Sequence, residues 1–390
     1  MEGGGIFIVN DVGVEKWVYG GEGLARIDGR VVFAPFVLPG ERARIEDVGG
    51  VHADLIEVVE PSPDRVEPPC PVFGRCGGCH YQHAPYEYQL ARKVEILREQ
   101  IRRVGKIDYA GEIETISGPG LGYRNRSQFR IAGGKIGYLA ARSHELVAVE
   151  GDCPISSPRV NAVLAQIRER LPDPRFPRFV NSIEVFTNER DVQLNVLESE
   201  RPVARAFYDW FESVVALDYG EFRVSPRSFF QVNRFLLEAM VERALSRARG
   251  KSALDLYSGV GLFALPLARR FDSVIAVEAG LSAVRDLEFN ANRGGLKIEV
   301  AQSRVEDFLA KLDRAPDFVL ADPPRAGLGK SVTASLARLK PPQITIVSCD
   351  PATLARDLSA LGEYQIERIT LIDLFPQTFH IESIVELALR

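Results

Sequence analysis

The sequence predicts an α/β protein of three domains: an N-terminal OB-like β-barrel over residues 1–62, a central α+β domain over 63–220, and a doubly wound, Rossmann-like α/β domain over 221–390. Three observations carry this expectation. At 390 residues the chain is too long for one ordinary core. From about Gln231 onward, apolar strands alternate with helices, the rhythm of βαβ units whose parallel sheet is covered on both faces. From Ile6 to about Val59 the chain instead offers short alternating strands cut by Gly, Pro and Asp.

VYGGEGLARI, GRVVFAPFVLPGERARIEDV and ADLIEVVE are the barrel strands, and barrels of this type often bind nucleic acid. Pro61, Pro63, Pro68 and Pro69 mark a linker. A cysteine loop, CPVFGRCGGCH, leads to a helix from about Tyr86 to Val104, on which Leu90, Val94, Leu97 and Ile101 recur at helical spacing. SQFRIA, KIGYLA, SIEVFT and DVQLNVLE read as strands of a central mixed sheet, interrupted by a helix near Val160–Leu171. ALDLYS, SVIAVEA, KIEVAQ, DFVLADPP and QITIVSCD are the strands of the last domain, with helices between them.

A hydrophobic fraction of 46% with 26% charged residues is that of a soluble globular protein. No run approaches the ~20 apolar residues needed to span a bilayer, so no membrane partner is expected. The start lacks a secretory layout, and a cytoplasmic, reducing setting follows. The net charge of −5 hides a split: residues 1–60 balance to −6 and residues 89–142 to +6. A basic stretch attracts phosphates within a Debye length, whatever the rest of the chain carries. Within it, GYRNRSQFR interleaves Arg124, Arg126 and Arg130 with Tyr123 and Phe129, a means of holding phosphates and splayed bases of single-stranded RNA. The three arginines share parity on a strand, which also suits an ordinary solvated sheet face.

In ALDLYSGVGLFALPLA an apolar strand ending near Asp255 runs into a Gly-rich turn, where Gly259 and Gly261 let the backbone approach a ligand. Glu278 closes the next strand 19 residues after Gly259, near the spacing at which an acid binds ribose hydroxyls. The turn lacks the third glycine of a dinucleotide fingerprint and the Lys-Ser/Thr of a phosphate loop. A ribose-bearing cofactor without pyrophosphate, S-adenosylmethionine, fits better than NAD or ATP.

Two later strands deliver Asp322, in ADPPRAG, and Cys349, in VSCDPATLARD, to the same sheet edge. Glu382 stands before the last strand with His380 nearby, and a buried carboxylate there can act as a general base. Cys349 stands apart from the other four cysteines. Cys70, Cys76 and Cys79 form C-x5-C-x2-C, and Cys153 follows after 73 residues. Four thiolates suit a 4Fe-4S cluster; zinc is the rival, held by all four or by three with His80 or His83.

SPRSFFQVN, LDLYSGVG, ADPPRAG, SCDPATLARD and FPQTFHIES, in that order, resemble the RNA uracil-5 methyltransferases, which make 5-methyluridine. The cysteine loop and the N-terminal strands resemble the iron–sulfur, TRAM-domain-bearing members that act on 23S rRNA. The resemblance runs over essentially the whole chain. It implies that Cys349 attacks carbon 6 of the uracil, that Glu382 removes the carbon 5 proton, and that the cluster is 4Fe-4S. It carries Gln231, Tyr257 and Glu278 over as cofactor contacts beside Gly259. Asp322 would hold the cofactor or the uracil edge. Tyr257 stands where relatives often have Phe. RNA is the implied partner, with 23S rRNA favoured and tRNA the alternative; a monomer is expected. The competing reading is a non-catalytic RNA-binding protein that keeps the fold.

Overall fold

The computed structural model describes residues 8–47 and 50–390; Ile6, Phe7, Val48 and Gly49, within the stretches expected as barrel strands, lie outside them. Strands β1 (Ile8–Gly13), β2 (Lys16–Val18), β3 (Glu22–Ile27), β4 (Arg30–Pro35), β5 (Arg42–Asp47) and β6 (Ala53–Glu60) form two three-stranded sheets, β1-β5-β6 and β2-β3-β4. Their alternation buries Val12, Ala25, Val32, Ala34, Ala43 and Ile45 between the sheets. Trp17 leaves this core: its indole stacks on Tyr81 at 4.0 Å and its Nε1 donates to Val37 O at 2.6 Å.

Helix α1 (Tyr86–Arg103) and strand β7 (Ile113–Ile116) come next. The helix ends within a residue of its expected limit. It buries Leu97 and Ile101 against Leu354 and Leu358 of the last third of the chain. In space, therefore, residues 86–116 belong to the C-terminal layer, although in sequence they fall inside the stretch expected as the central domain.

The central sheet has the order β10-β9-β8-β11-β12, from β8 (Arg126–Ala132), β9 (Lys135–Leu139), β10 (Leu146–Ala148), β11 (Val180–Thr187) and β12 (Val192–Ser199), all antiparallel. Helix α2 (Pro158–Arg170) starts where Ser157 accepts from Val160 N and proline occupies the first turn. It packs Val160, Val163, Leu164 and Ile167 on the sheet. Helix α3 (Arg205–Asp209), the hairpin β13 (Leu217–Tyr219) and β14 (Phe222–Val224), and helix α4 (Leu237–Ala244) lead onward.

The large sheet runs β17-β16-β15-β18-β19-β21-β20-β7. Its parallel part comprises β15 (Ser252–Leu256), β16 (Ser273–Glu278), β17 (Glu299–Gln302), β18 (Phe318–Ala321) and β19 (Gln343–Ser348). Helices α5 (Ala264–Ala268), α6 (Leu281–Arg293), α7 (Val305–Leu309), α8 (Gly329–Leu339) and α9 (Pro351–Ala360) connect its strands. β20 (Tyr364–Ile372) and β21 (Glu382–Leu389) form a hairpin, with β21 antiparallel to β19 and β7 parallel to β20 at the border. Because β21 runs against β19, its first residue lies beside the end of β19. That reversal assembles the site.

Candidate active site

Ser348 and Ser383 are register partners on β19 and β21, and Ser383 Oγ donates to Ser348 O at 3.3 Å. One step further, Cys349 leaves β19 beside Glu382, where β21 begins. On the other side of β19, Ala321 ends β18, and the Asp322 N–H donates to Leu256 O at 3.3 Å, next to Tyr257. Cys349, Glu382, Asp322 and the Gly-rich turn therefore share one edge, at the carboxyl ends of the parallel strands. The thiol is further fixed by Asp350, whose side chain caps α9 by accepting from Ala352 N and Thr353 N at 3.1 and 2.8 Å. The other Asp350 oxygen accepts from the Tyr19 hydroxyl of the barrel at 3.0 Å.

This edge is short of water and rich in acid. Burial pushes the Cys349 thiol up to about 12, and the charges of Glu382 and Asp322 add to it. Burial also holds Glu382 well above the usual carboxyl range, with Asp322 adding and the Arg325 guanidinium opposing. Asp322 is raised to about 7, again by burial. Burial lowers His380 to about 3, with Arg325 adding, so its imidazole is neutral. The groups suited to nucleophile and base are thus held toward their protonated forms.

At the Gly-rich turn, Tyr257, Gly259 and Gly261 have φ of 62°, 54° and 99°. A left-handed tyrosine is strained, and such strain gathers at ligand sites. The Glu278 carboxylate accepts from Gly259 N at 3.0 Å and Gly280 N at 2.7 Å, so the acid of β16 braces the turn after β15. Gln231 is buried, 7% exposed.

A groove of about 1660 Å³ reaches Arg325 and His380, close in sequence to Asp322 and Glu382. Gly21 and His52 of the barrel, Arg124 and Arg130 of the central region, and Phe229, Arg325 and His380 from farther along the chain all line it. Arg126 is only 13% exposed and committed inward, to Glu184 at 2.8 Å and Ser228 O at 2.9 Å. Arg130 pairs with Glu198. The expected stacking role of Phe129 is corrected: its ring is fully buried with Ile131, Val160 and Ile183. Tyr123 is equally buried. Phe229, 65% exposed, is an aromatic that lines the groove, and the sequence reading passed over it.

Cys70, Cys76, Cys79 and Cys153 line one cavity of about 380 Å³. Burial raises Cys76 to about 11 and Cys79 to about 12, with the charges of the other thiols adding. Among the described residues, no three His, Cys, Asp or Glu side chains are drawn together as ligands of a metal ion. Neither His80 nor His83 lines the cavity. Burial holds both imidazoles at about 4, and His83 Nε2 faces Val37 O at 3.4 Å. A zinc site completed by either histidine therefore has no support. All five cysteines are free thiols.

Arg325 and Tyr19 were missed. Arg325 directly follows Asp322-Pro-Pro and could have been read with it; Tyr19 lies in an unremarkable hairpin, and only the fold brings it to Asp350.

A family model described as tRNA (uracil-5-)-methyltransferase matches residues 215–318 and 301–390. An RNA methyltransferase of uncharacterised specificity from Aquifex aeolicus is 36% identical, covering 97% of this chain and 98% of its own. The 23S rRNA (uracil(1939)-C(5))-methyltransferase RlmD of Cronobacter sakazakii is 34% identical, over 93% of this chain and 92% of its own. The crystal structure of Pyrococcus abyssi tRNA (uracil-54, C5)-methyltransferase with S-adenosyl-L-homocysteine superposes with a TM-score of 0.78, covering 97% of this chain and 100% of that one, at 24% identity. That likeness speaks for the fold.

Proposed function

The chain belongs to the RNA (uracil-5-)-methyltransferase family, and on that premise we propose that it methylates carbon 5 of a uridine in 23S rRNA through a covalent cysteine–uracil adduct. The observation that carries this reading is the placement of Cys349 beside Glu382 across β19 and β21, at an edge whose chain neighbours Arg325 and His380 line a long groove. The 23S rRNA target is supported by relatives named for that RNA, 32% and 34% identical over at least 93% of this chain.

Bound S-adenosylmethionine supplies an electrophilic methyl group. Gln231, Tyr257, Gly259, Glu278 and Asp322 would hold it, with Glu278 suited to ribose hydroxyls. Carbon 5 of uracil is too weak a nucleophile alone. Once the Cys349 thiol and the Glu382 carboxyl have each released a proton to solvent, the Cys349 thiolate bonds to carbon 6, and the electron pair moves to carbon 5, which takes the methyl group as that group's bond to the sulfonium breaks. Glu382 then accepts the carbon 5 proton, the ring regains its double bond, and the carbon 6–sulfur bond breaks to release Cys349. The uridine must leave its stack to reach this edge. Arg124 and Arg130 line the approach, and Arg126 orders it from below. A non-catalytic RNA-binding role would leave the joint presence of Cys349, Glu382 and Asp322 at one edge without a purpose.

That four cysteines line one cavity supports the reading of a 4Fe-4S cluster there. Cys70, Cys76, Cys79 and Cys153 would hold it as thiolates, so assembly releases protons. Methyl transfer moves no net electrons, which leaves the cluster a structural task. Free thiols throughout, and no helix among the described residues long and apolar enough to cross a membrane, accord with work in the cytoplasm on RNA. The deciding experiment incubates the protein with 23S rRNA carrying 5-fluorouridine and S-adenosylmethionine. A covalent protein–RNA band is expected, absent in Cys349→Ala; methylation surviving in that variant ends the proposal.

A further inference from the structure

The connection between β20 and β21 runs from Asp373 to Ile381 and is closed by the register pair Ile372 and Glu382. Successive carbonyls within it are each held by a different part of the chain. Asn233 Nδ2 donates to Leu374 O at 3.1 Å, and Lys93 Nζ to Phe375 O at 3.0 Å. The Tyr123 hydroxyl donates to Pro376 O at 3.1 Å. The backbone N–H groups of His80 and Tyr81, directly after Cys79, both reach Gln377 O, at 2.8 and 3.0 Å. The Gln377 side chain is held too: Gln89 Nε2 donates to Gln377 Oε1 at 2.9 Å, and Gln377 N donates to Gln89 Oε1 at 3.1 Å. Gln377 has φ of 67°, a strained state that lasts only where the surroundings over-determine it.

None of these donors belongs to β20 or β21, whose own ladder already pairs the two strands. The anchoring therefore fixes where the mouth of the hairpin stands against the rest of the molecule, and Glu382 is the residue at that mouth. We infer that Tyr123 is a positioning residue for the reaction: with Lys93, Asn233 and the His80–Tyr81 backbone, it sets the 373–381 connection and so the place of the Glu382 carboxyl against the carbon 5 proton. The inference rests on the uracil-5 reading above. It also gives the basic segment around Tyr123 a task apart from touching RNA.

Tyr123→Phe removes one hydroxyl from a ring that stays packed. The molecule supplies a matched control, because the buried Tyr364 hydroxyl donates to Pro341 O at the same 3.1 Å, away from this connection. Full-length wild type, Tyr123→Phe and Tyr364→Phe are assayed on in vitro transcribed 23S rRNA with radiolabelled S-adenosylmethionine. In Tyr123→Phe, kcat is expected to fall about tenfold or more, with KM for both substrates unchanged and methylated RNA left bonded to the protein on denaturing gels. Tyr364→Phe is expected to lower Tm by a similar amount while keeping wild-type kcat and adduct level. Equal kcat and equal adduct in the two variants overturn the inference. If Tyr123→Phe does not fold, Gln89→Met, which strips Gln377 of its side-chain partner, is read in the same two ways, and a wild-type adduct level there overturns it. A wild type that forms neither adduct nor 5-methyluridine defeats the uracil-5 reading itself, and the inference with it; the wild-type lane separates the two failures.

Discussion

Cys349 at the sheet edge and Cys79 in the cysteine cavity are both pushed up to about 12, yet the charges that add to burial differ. Around Cys349 they are carboxylates, which can relay a proton; around Cys79 they are other thiols, gathered at one cavity. On the proposed reading, one environment serves a bond that forms and breaks, the other ligation that stays. Burial alone thus says nothing about the task of a cysteine in this chain, and the neighbours decide it.

The strongest way to break the comparison is to remove one sulfur from each site. Cys349→Ala should abolish methyl transfer, a loss on the order of 10⁴-fold or more, while calorimetry finds S-adenosylmethionine binding intact. Cys79→Ser should act on composition and folding: iron per purified chain falls from about four toward zero and Tm drops, while iodoacetamide still alkylates Cys349 as in wild type. Full iron in Cys79→Ser would show that the cavity is not the ligand set. Glu382→Gln sharpens the reactive side. Its kcat should fall by about 10²–10⁴-fold with a covalent RNA adduct accumulating; unchanged turnover would place the base elsewhere.

The smallest effect concerns acidity. Asp322 stands at about 7 in the folded chain against an ordinary 3.8. The folded state favours its protonated form, so its contribution to stability is present below about pH 4 and is lost as pH rises through 7. Asp322→Asn should therefore stabilise the protein at pH 8, on the order of 1–3 kcal/mol, and change little at pH 4, measured as Tm at the two values. A gain of equal size at both pH values would mean that the carboxyl is not held protonated.

The parallel half of the large sheet was legible because four of its five strands run into a residue of unusual type for that place: Tyr257, Glu278, Asp322, Cys349. The chain states both the strand and its purpose within a few residues. Long-range pairing has no such local sign. That β7 joins β20 cannot be read from IETI, since a border strand looks alike whatever it borders. The burial of Phe129 was readable and was missed: it alternates with Arg126 and Arg130, so if those face the groove, Phe129 faces the core. The roles of Tyr19 and Gln377 were beyond reach, because each depends on a hydrogen bond to a residue hundreds of positions away.

The outermost strand of the large sheet, β7, is made early and completed late. Ribosomes release Ile113–Ile116 well before Tyr364–Ile372, its hydrogen-bonding neighbour, exists. Cutting the gene near residue 221 to obtain a stand-alone C-terminal enzyme would strip β20 of that cover and leave bare amides and carbonyls along Ile369–Ile372. Such an uncapped ribbon invites a second molecule to pair with it, so a truncated enzyme should come out of cells as aggregate, and co-expressing residues 63–220 should restore little unless β7 finds its groove in time.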